Sequence, residues 1–231
     1  MSVFKFKRFN IIQEKSAMKV GTDGVLLGSW SNSKKSNEIL DIGCGTGLIA
    51  LMLAQRNSKA SITAIEIDEI ASREAKQNIN NSNWNERICI INTSLQDFKT
   101  EIKFDLIVSN PPFFPATKFN ERRDIARHTN SLSFEDLIKN AASLLAERGN
   151  LSVIIPEKSR IYFCETAARF SLFCNRICYV KGTQNSESKR VLMEFSFIEY
   201  NLKKEYLVIE KARGQYTNDY IDLCQNFYLK M

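Results

Sequence analysis

Histidine is nearly absent from this 231-residue chain, with His128 the sole example. Six cysteines are present (Cys44, Cys89, Cys164, Cys174, Cys178 and Cys224), but no two have the C-x-x-C spacing. A zinc centre therefore lacks both its usual ligands and their arrangement, and no metal is expected. Long apolar runs are missing too. The longest, Leu48 to Ala54, falls far short of the ~20 residues that a membrane helix needs. The opening, Met1 to Asn10, alternates apolar and basic residues and has no apolar signal core. Free thiols without such a leader point to the reducing cytoplasm and away from a membrane partner. With 4 Pro and 9 Gly, no repeat and no low-complexity stretch, nothing indicates disorder.

What is present suits a single domain over 1–231: hydrophobic residues make up 44% of the chain, enough for a sizeable core. The net charge of +6 fits an anionic partner but is spread over a long chain. It is densest at the start. Lys5, Lys7, Arg8, Lys15 and Lys19 face only Glu14 within the first twenty residues, and Phe4, Phe6 and Phe9 are interleaved with them. Such a stretch serves single-stranded nucleic acid by stacking and phosphate neutralisation. Equally, it serves as an edge strand whose lysines discourage aggregation. Residues 1–37 thus read as a basic, aromatic extension ahead of a core over 38–231. Within the extension, Gly21-Thr-Asp-Gly24 is a tight turn in which Thr22 or Asp23 is placed to cap a following helix.

The core opens with strand, glycine turn and helix, Glu38 to Ala54, spaced Gly43-x-Gly45-x-Gly47. A turn without Cβ atoms lets a ligand approach the backbone, and the helix start offers free N–H groups. Asp41, at the strand end, needs partners for a buried carboxylate, either N–H groups of the turn or a cationic ligand. A second strand, 62–67, carries Glu66 at its end, where an acid suits the two hydroxyls of a ribose. Asp68 caps a helix to Asn80 with Ala71, Ala75 and Ile79 on one face. A third strand, 88–91, is followed by Asp97, placed to accept from an exocyclic adenine amine. The fourth, Phe104 to Val108, stops against Asn110-Pro-Pro-Phe113. Proline restricts its predecessor to extended geometry, so Asn110 is held at a strand's carboxyl end, the edge where ligands bind in open α/β sheets. An amide, an unpaired carbonyl and a ring there suit a planar amino group.

A basic loop, 114–131, follows and contains His128. A helix is expected from Ser133 to about Glu147, stopped by Gly149, then a strand at 151–155 and a helix at 158–170. Strands at 177–180 and 191–197 form a closing hairpin, and a helix spans 216–228. The order gives an α/β fold: a Rossmann-like, mostly parallel seven-stranded sheet with a C-terminal antiparallel hairpin and helices on both faces.

Asp41-Ile-Gly-Cys-Gly-Thr-Gly47, Glu66, Asp97 and Asn110-Pro-Pro-Phe113 together resemble the class I S-adenosylmethionine-dependent methyltransferases that carry the amino-methylating NPP(F/Y) motif. The chain is similar, more narrowly, to the tRNA1(Val) (adenine(37)-N6)-methyltransferase family. That resemblance rests also on Phe4 to Phe9, Ala17 to Gly28, Arg190-Val-Leu-Met193 and Phe227 to Met231. It implies S-adenosyl-L-methionine as cofactor, with Asp41, Gly43, Gly45 and Gly47 around its methionine end and Thr22 and Asp23 closing that end. Glu66 would hold the ribose and Asp97 the adenine amine. Asn110 and the Pro111 carbonyl would accept the target amine's hydrogens and Phe113 would stack on the base, with Pro112 counted in the same catalytic motif. The implied partner is tRNA, bound by a monomer, with Lys5, Lys7, Arg8, Lys19 and Arg190 as RNA contacts. Loop 114–131 departs from the family pattern. Three rivals stand beside this reading. An N5-glutamine methyltransferase acting on a release factor also handles a planar amide, but such enzymes usually carry an N-terminal helical domain. A DNA adenine methyltransferase would need a target-recognition domain. A non-catalytic RNA-binding module would bind no S-adenosylmethionine.

Overall fold

The computed structural model describes residues 2–16, 18–112 and 132–231. The readings of Phe113, loop 114–131 and His128 lie outside them.

A hairpin, β1 (Val3–Lys5) with β2 (Asn10–Ile12), precedes α1 (Thr22–Trp30). Then come β3 (Glu38–Ile42), α2 (Leu48–Arg56), β4 (Ser61–Glu66), α3 (Glu69–Asn80), β5 (Ile88–Asn92) and β6 (Phe104–Ser109). The second half runs α4 (Phe134–Leu144), β7 (Leu145–Pro156), α5 (Arg160–Arg169), β8 (Phe173–Thr183) and β9 (Ser188–Ser196). It closes with β10 (Lys203–Ala212), β11 (Gln215–Tyr216) and α6 (Asn218–Cys224).

The main sheet has the order β11-β10-β8-β9-β7-β6-β3-β4-β5. Strands β3 to β7 pair in parallel, and β9 is antiparallel to both β7 and β8. The chain leaves β3 toward β4 and β5, then returns to its other side with β6. That reversal opens a crevice beyond the carboxyl ends of β3 and β6. One face of the sheet packs on α1, α2, α3 and α6, the other on α4 and α5. The central strands are buried on both faces, which is why β3 and β6 read as nearly unbroken apolar runs.

Around the expected seven strands the sheet gains two, β10 and β11. Strand β10 adds in parallel to β8. It is fastened by Glu205, which accepts from Trp30 Nε1 at 2.8 Å and pairs with Arg176 at 3.0 Å, while the Arg176 guanidinium lies 3.9 Å over the Trp30 ring. Gly149 does not end a helix. It lies inside β7, where a Cβ would come 2.7 Å from the Phe104 carbonyl oxygen. The register skips there, from Phe104 opposite Leu145 to Leu106 opposite Asn150. The final helix is shorter than 216–228, ending at Cys224. Asp68 and Ser133 cap their helices as expected, accepting from Ala71 and Asp136 N–H groups. The α1 start departs: Gly21 is its N-cap and neither Thr22 nor Asp23 caps it.

The N-terminal segment also departs from a nucleic-acid strand with available rings. Phe6 and Phe9 are 4% and 6% exposed and stack on each other at 4.7 Å. Phe6 bridges to Tyr228, and the Lys7 N–H donates to the Phe227 carbonyl at 2.8 Å. Phe6 and Phe9 are core and Phe4 is half-buried against it, while Lys5, Lys7 and Arg8 are exposed.

Candidate active site

At the crevice lies a cavity of about 1000 Å³. The glycine turn forms one wall, with Glu66 and the Ser94–Asp97 turn beside it. Asn110, Pro111 and Pro112 stand at the end of β6, and Met18 to Gly24 and Arg190 close the far side.

The turn exists because Gly43, Gly45 and Gly47 adopt φ of 70, 55 and 81°. L side chains rarely occupy that region, at a cost of about 1–2 kcal/mol. A Cβ on Gly43 or Gly45 would meet only open space, whereas one on Gly47 would touch Ile79 and Ala75 at 3.4 and 3.5 Å. The Gly43 and Cys44 N–H groups donate to the Ile65 carbonyl, folding the turn over β4. The α2 N-cap, Gly47, has no side chain to offer, and Asp41 of β3 supplies the missing acceptor to the Ala50 N–H at 3.1 Å.

Asp41 is fully buried, and its other oxygen, Oδ1, has no partner among the described residues. Burial pushes its pKa up to about 7. The Ala50 N–H opposes the rise and the nearby Glu66 charge adds to it. The Cys44 thiol is raised well above its usual value by burial, then by Asp41 and Glu66, so it is no nucleophile.

Glu66 is oriented from both sides: Oε2 accepts from the Gly45 N–H at 2.8 Å and Oε1 from the Asp68 N–H at 2.9 Å. Asp97 is exposed and accepts from the Ser94 hydroxyl at 2.6 Å. Asn110 is half-buried and Pro111 buried; the Asn110 amide has no hydrogen-bond partner among the described residues. Ser109, just before it, donates to the Ile42 carbonyl at 3.0 Å and fixes the end of β6 to that of β3. The structure therefore brings Thr22, Asp23, Gly43, Gly45, Glu66, Asp97, Asn110, Pro111 and Pro112 to one cavity. Asp41, fully buried under the turn, and Gly47, the helix cap, do not line it.

The proposed RNA contacts are dispersed. Arg190 lies on the cavity wall with its Nε 2.8 Å from Asp23 Oδ2, so it braces the cavity mouth. Lys19 lines the same cavity. Lys5 is exposed on β1, Lys7 donates to the Gln225 carbonyl at 2.6 Å, and Arg8 lies 5.8 Å over the Trp84 ring.

Two residues with a structural share in the site went unread in the sequence. Glu74 of α3 accepts from the N–H groups of Glu14, Lys15 and Ser16 at 2.8, 2.7 and 2.9 Å, and from the Ser16 hydroxyl. Asn78, one turn later, exchanges hydrogen bonds with the Ile12 backbone and donates to the Thr46 carbonyl. Together they strap the N-terminal segment to α3, so that Met18–Gly24 reaches the cavity. The available signal was polar residues at positions 74 and 78, inside a helix stripe whose other members, Ala71, Ala75 and Ile79, are apolar.

Among the described residues no three His, Cys, Asp or Glu gather as a metal site, and no helix is long and apolar enough to cross a membrane.

The methyltransferase small domain family model matches residues 16–166. Three proteins named tRNA1(Val) (adenine(37)-N6)-methyltransferase align over nearly full length. That of Flavobacterium psychrophilum is 50% identical, spanning 99% of this chain and 100% of its own. That of Trichodesmium erythraeum is 46% identical over 98% of each, and that of Pseudoalteromonas translucida 43% over all of both. Among solved structures, a predicted O-methyltransferase from Agrobacterium tumefaciens superposes with a TM-score of 0.70 at 19% identity, covering 89% of this chain and 96% of that one. A methyltransferase from Pyrococcus furiosus gives 0.60 at 21%, covering 82% and 89%. These two likenesses establish the class I methyltransferase fold, and the full-length identities establish more: the chain belongs to the tRNA1(Val) (adenine(37)-N6)-methyltransferase family.

Proposed function

We propose that the protein transfers a methyl group from S-adenosylmethionine to the N6 amine of adenine 37 in tRNA1(Val), acting as a monomer in the cytoplasm. One observation carries the reading. Asn110 and Pro111 stand on the same cavity as the glycine turn and Glu66, so an amine receptor faces a nucleoside cradle.

The residues fit the donor. The space beside Gly43 and Gly45 admits a ligand against the backbone, and the orphaned Asp41 Oδ1 offers a negative atom close to that turn. Glu66 retains lone pairs for the ribose hydroxyls, and Asp97 is exposed for an adenine amine. When bound, S-adenosylmethionine supplies an electrophilic methyl on a sulfonium, an excellent leaving group. The chain's task is the nucleophile. An adenine amine delocalises its lone pair into the ring. Acceptance of its two hydrogens by the Asn110 side-chain oxygen and the Pro111 carbonyl orients that lone pair and raises its electron density. Phe113 supplies the stacking face, worth about 1–3 kcal/mol per base. Alignment of the amine by these residues would be the main source of rate, and its surplus proton would leave to water. Lys5 and Lys19 contribute electrostatic attraction for the RNA.

Asn110→Ala tests the reading. Loss of one acceptor and of the alignment it enforces lowers kcat on tRNA by about 10²-fold or more, while calorimetric affinity for S-adenosylmethionine stays within twofold. Undiminished turnover would sink the assignment. Nucleoside mass spectrometry of tRNA from cells lacking the protein separates the substrates: N6-methyladenosine disappears from tRNA, whereas unchanged levels redirect the search to a protein amide.

A further inference from the structure

A second hollow, of about 470 Å³, shares no lining residue with the donor cavity. It sits between the turn of the N-terminal hairpin, the segment after α1, the end of α2 and the segment after α6. Lys7, Arg8, Lys34 and Arg56 line it together with Gln55, Gln225 and Asn226, and among the described residues no Asp or Glu does.

Its cations are held in place by neutral groups. Arg56 Nη1 donates to the Gly28 and Ser31 carbonyls at 2.8 and 2.7 Å, closing the end of α1. Lys7 Nζ donates to the backbone carbonyls of Gln225 and Met231, and Arg8 rests on the Trp84 ring. Lys34 is exposed and makes no hydrogen bond or ion pair among the described residues. The Arg56 guanidinium is held below its usual pKa by burial and then by the charge of Arg176, and it forms no ion pair among the described residues. Gln55 braces the rim through its bond to the Asn226 carbonyl at 2.9 Å. Four cations around one concavity, two of them guanidinium groups, match the oxygens of a phosphate.

The hollow is also connected to the reaction site. It lies at the carboxyl end of α2, whose amino end is the glycine turn; the nine residues between span about 13 Å. The N-terminal segment also joins the two in sequence, with Lys7 and Arg8 in the hollow and Lys19 on the donor cavity wall.

We propose that this hollow is a phosphate-binding site that seats a backbone phosphate of the tRNA, anchoring the substrate away from the adenine being methylated. The inference rests on the functional reading above. It assigns Lys34 and Arg56, which neither the sequence motifs nor the donor cavity involve.

The test is the double variant Arg8→Glu/Lys34→Glu of the full chain, which spares Arg56 and its helix-closing bonds. Equilibrium binding of tRNA is measured by filter retention over a salt series, alongside steady-state kinetics. The expected result is a KM and a Kd for tRNA raised at least tenfold, with the log–log salt slope of binding reduced by about 2, one for each lost contact. The Kd for S-adenosylmethionine serves as the fold control and stays within twofold. A tRNA Kd and salt slope equal to wild type overturn the proposal. Loss of inorganic phosphate binding, followed by thermal shift, with tRNA affinity unchanged also overturns it, since the hollow then serves a free phosphate ligand. Binding is read without turnover, so the two readings fail separately. If the wild type methylates no tRNA yet the double variant still loses tRNA affinity, the methyl-transfer assignment falls and the anchor stands.

Discussion

Replacing Glu74 by Gln should detach the strap that carries the N-terminal segment to the donor cavity. The carboxylate is 6% exposed. Its Oε1 accepts the Glu14 and Lys15 N–H groups, and Oε2 accepts the N–H and hydroxyl of Ser16. Glutamine keeps one oxygen and turns the other into an NH2 that meets the Ser16 N–H donor to donor. A buried N–H without an acceptor costs about 1–3 kcal/mol, and the two bonds that remain lose roughly half their strength with the charge. The sum is about 3 kcal/mol. At roughly 2–4 °C per kcal/mol for a domain of this size, thermal unfolding at pH 7 should fall by about 6–12 °C. Affinity for S-adenosylmethionine should fall with it, because Met18–Gly24 lines the cavity. The pH dependence gives a second readout. Burial alone would raise the Glu74 pKa, but the Ser16 hydroxyl and the three N–H groups outweigh it and hold the group below 4.5. A lowered folded pKa means that the stabilisation is complete above the unfolded value and lost as pH falls through the folded one. The gap between wild type and Glu74→Gln should thus be constant from pH 5 to 8 and shrink in acid. Equal melting temperatures at pH 7, or a gap that persists at pH 3, would refute the strap as the source of this stability.

The Asp41 carboxyl carries the opposite sign. With its pKa raised from 3.8 to about 7, ligand-free stability declines as pH rises between those values, so Asp41→Asn should raise the melting temperature at pH 8.5 and change it little at pH 4. The same variant should bind S-adenosylmethionine more weakly, and wild-type affinity should decline below about pH 7; calorimetry at three pH values checks both. Gly149→Ala places a Cβ 2.7 Å from the Phe104 carbonyl, so it should lose about 1–3 kcal/mol in denaturant unfolding while S-adenosylmethionine affinity at 15 °C is retained.

How far the sequence discloses this molecule depends on how local each determinant is. Strands β3, β4 and β6 were legible because burial on both faces forces continuous apolar runs, and the motif at 110–112 because its prolines act on their neighbours. Strand β10 was not. In Lys-Lys-Glu-Tyr-Leu-Val-Ile-Glu-Lys-Ala only Leu207 is buried, and the strand is held by Glu205 reaching Arg176 and Trp30, 29 and 175 residues away. Phe6 and Phe9 misled for a related reason. Alternation with lysine describes an exposed strand, whereas a turn between β1 and β2 sends both rings into the core. The Glu74 strap joins residues 58 to 60 apart through backbone N–H groups, which carry no sequence signature at all.

The bridge from Phe6 to Tyr228, with the Lys7 N–H on Phe227, sets a schedule for synthesis. A chain emerging from its amino end can pair β3, β4 and β6 and form the glycine turn long before residue 227 exists. The N-terminal hairpin that precedes the cavity lip then lacks its last partner. A nascent chain with a finished central sheet therefore still lacks the contact that fixes its hairpin, because Phe227 and Tyr228 follow Phe6 and Lys7 by about 220 residues.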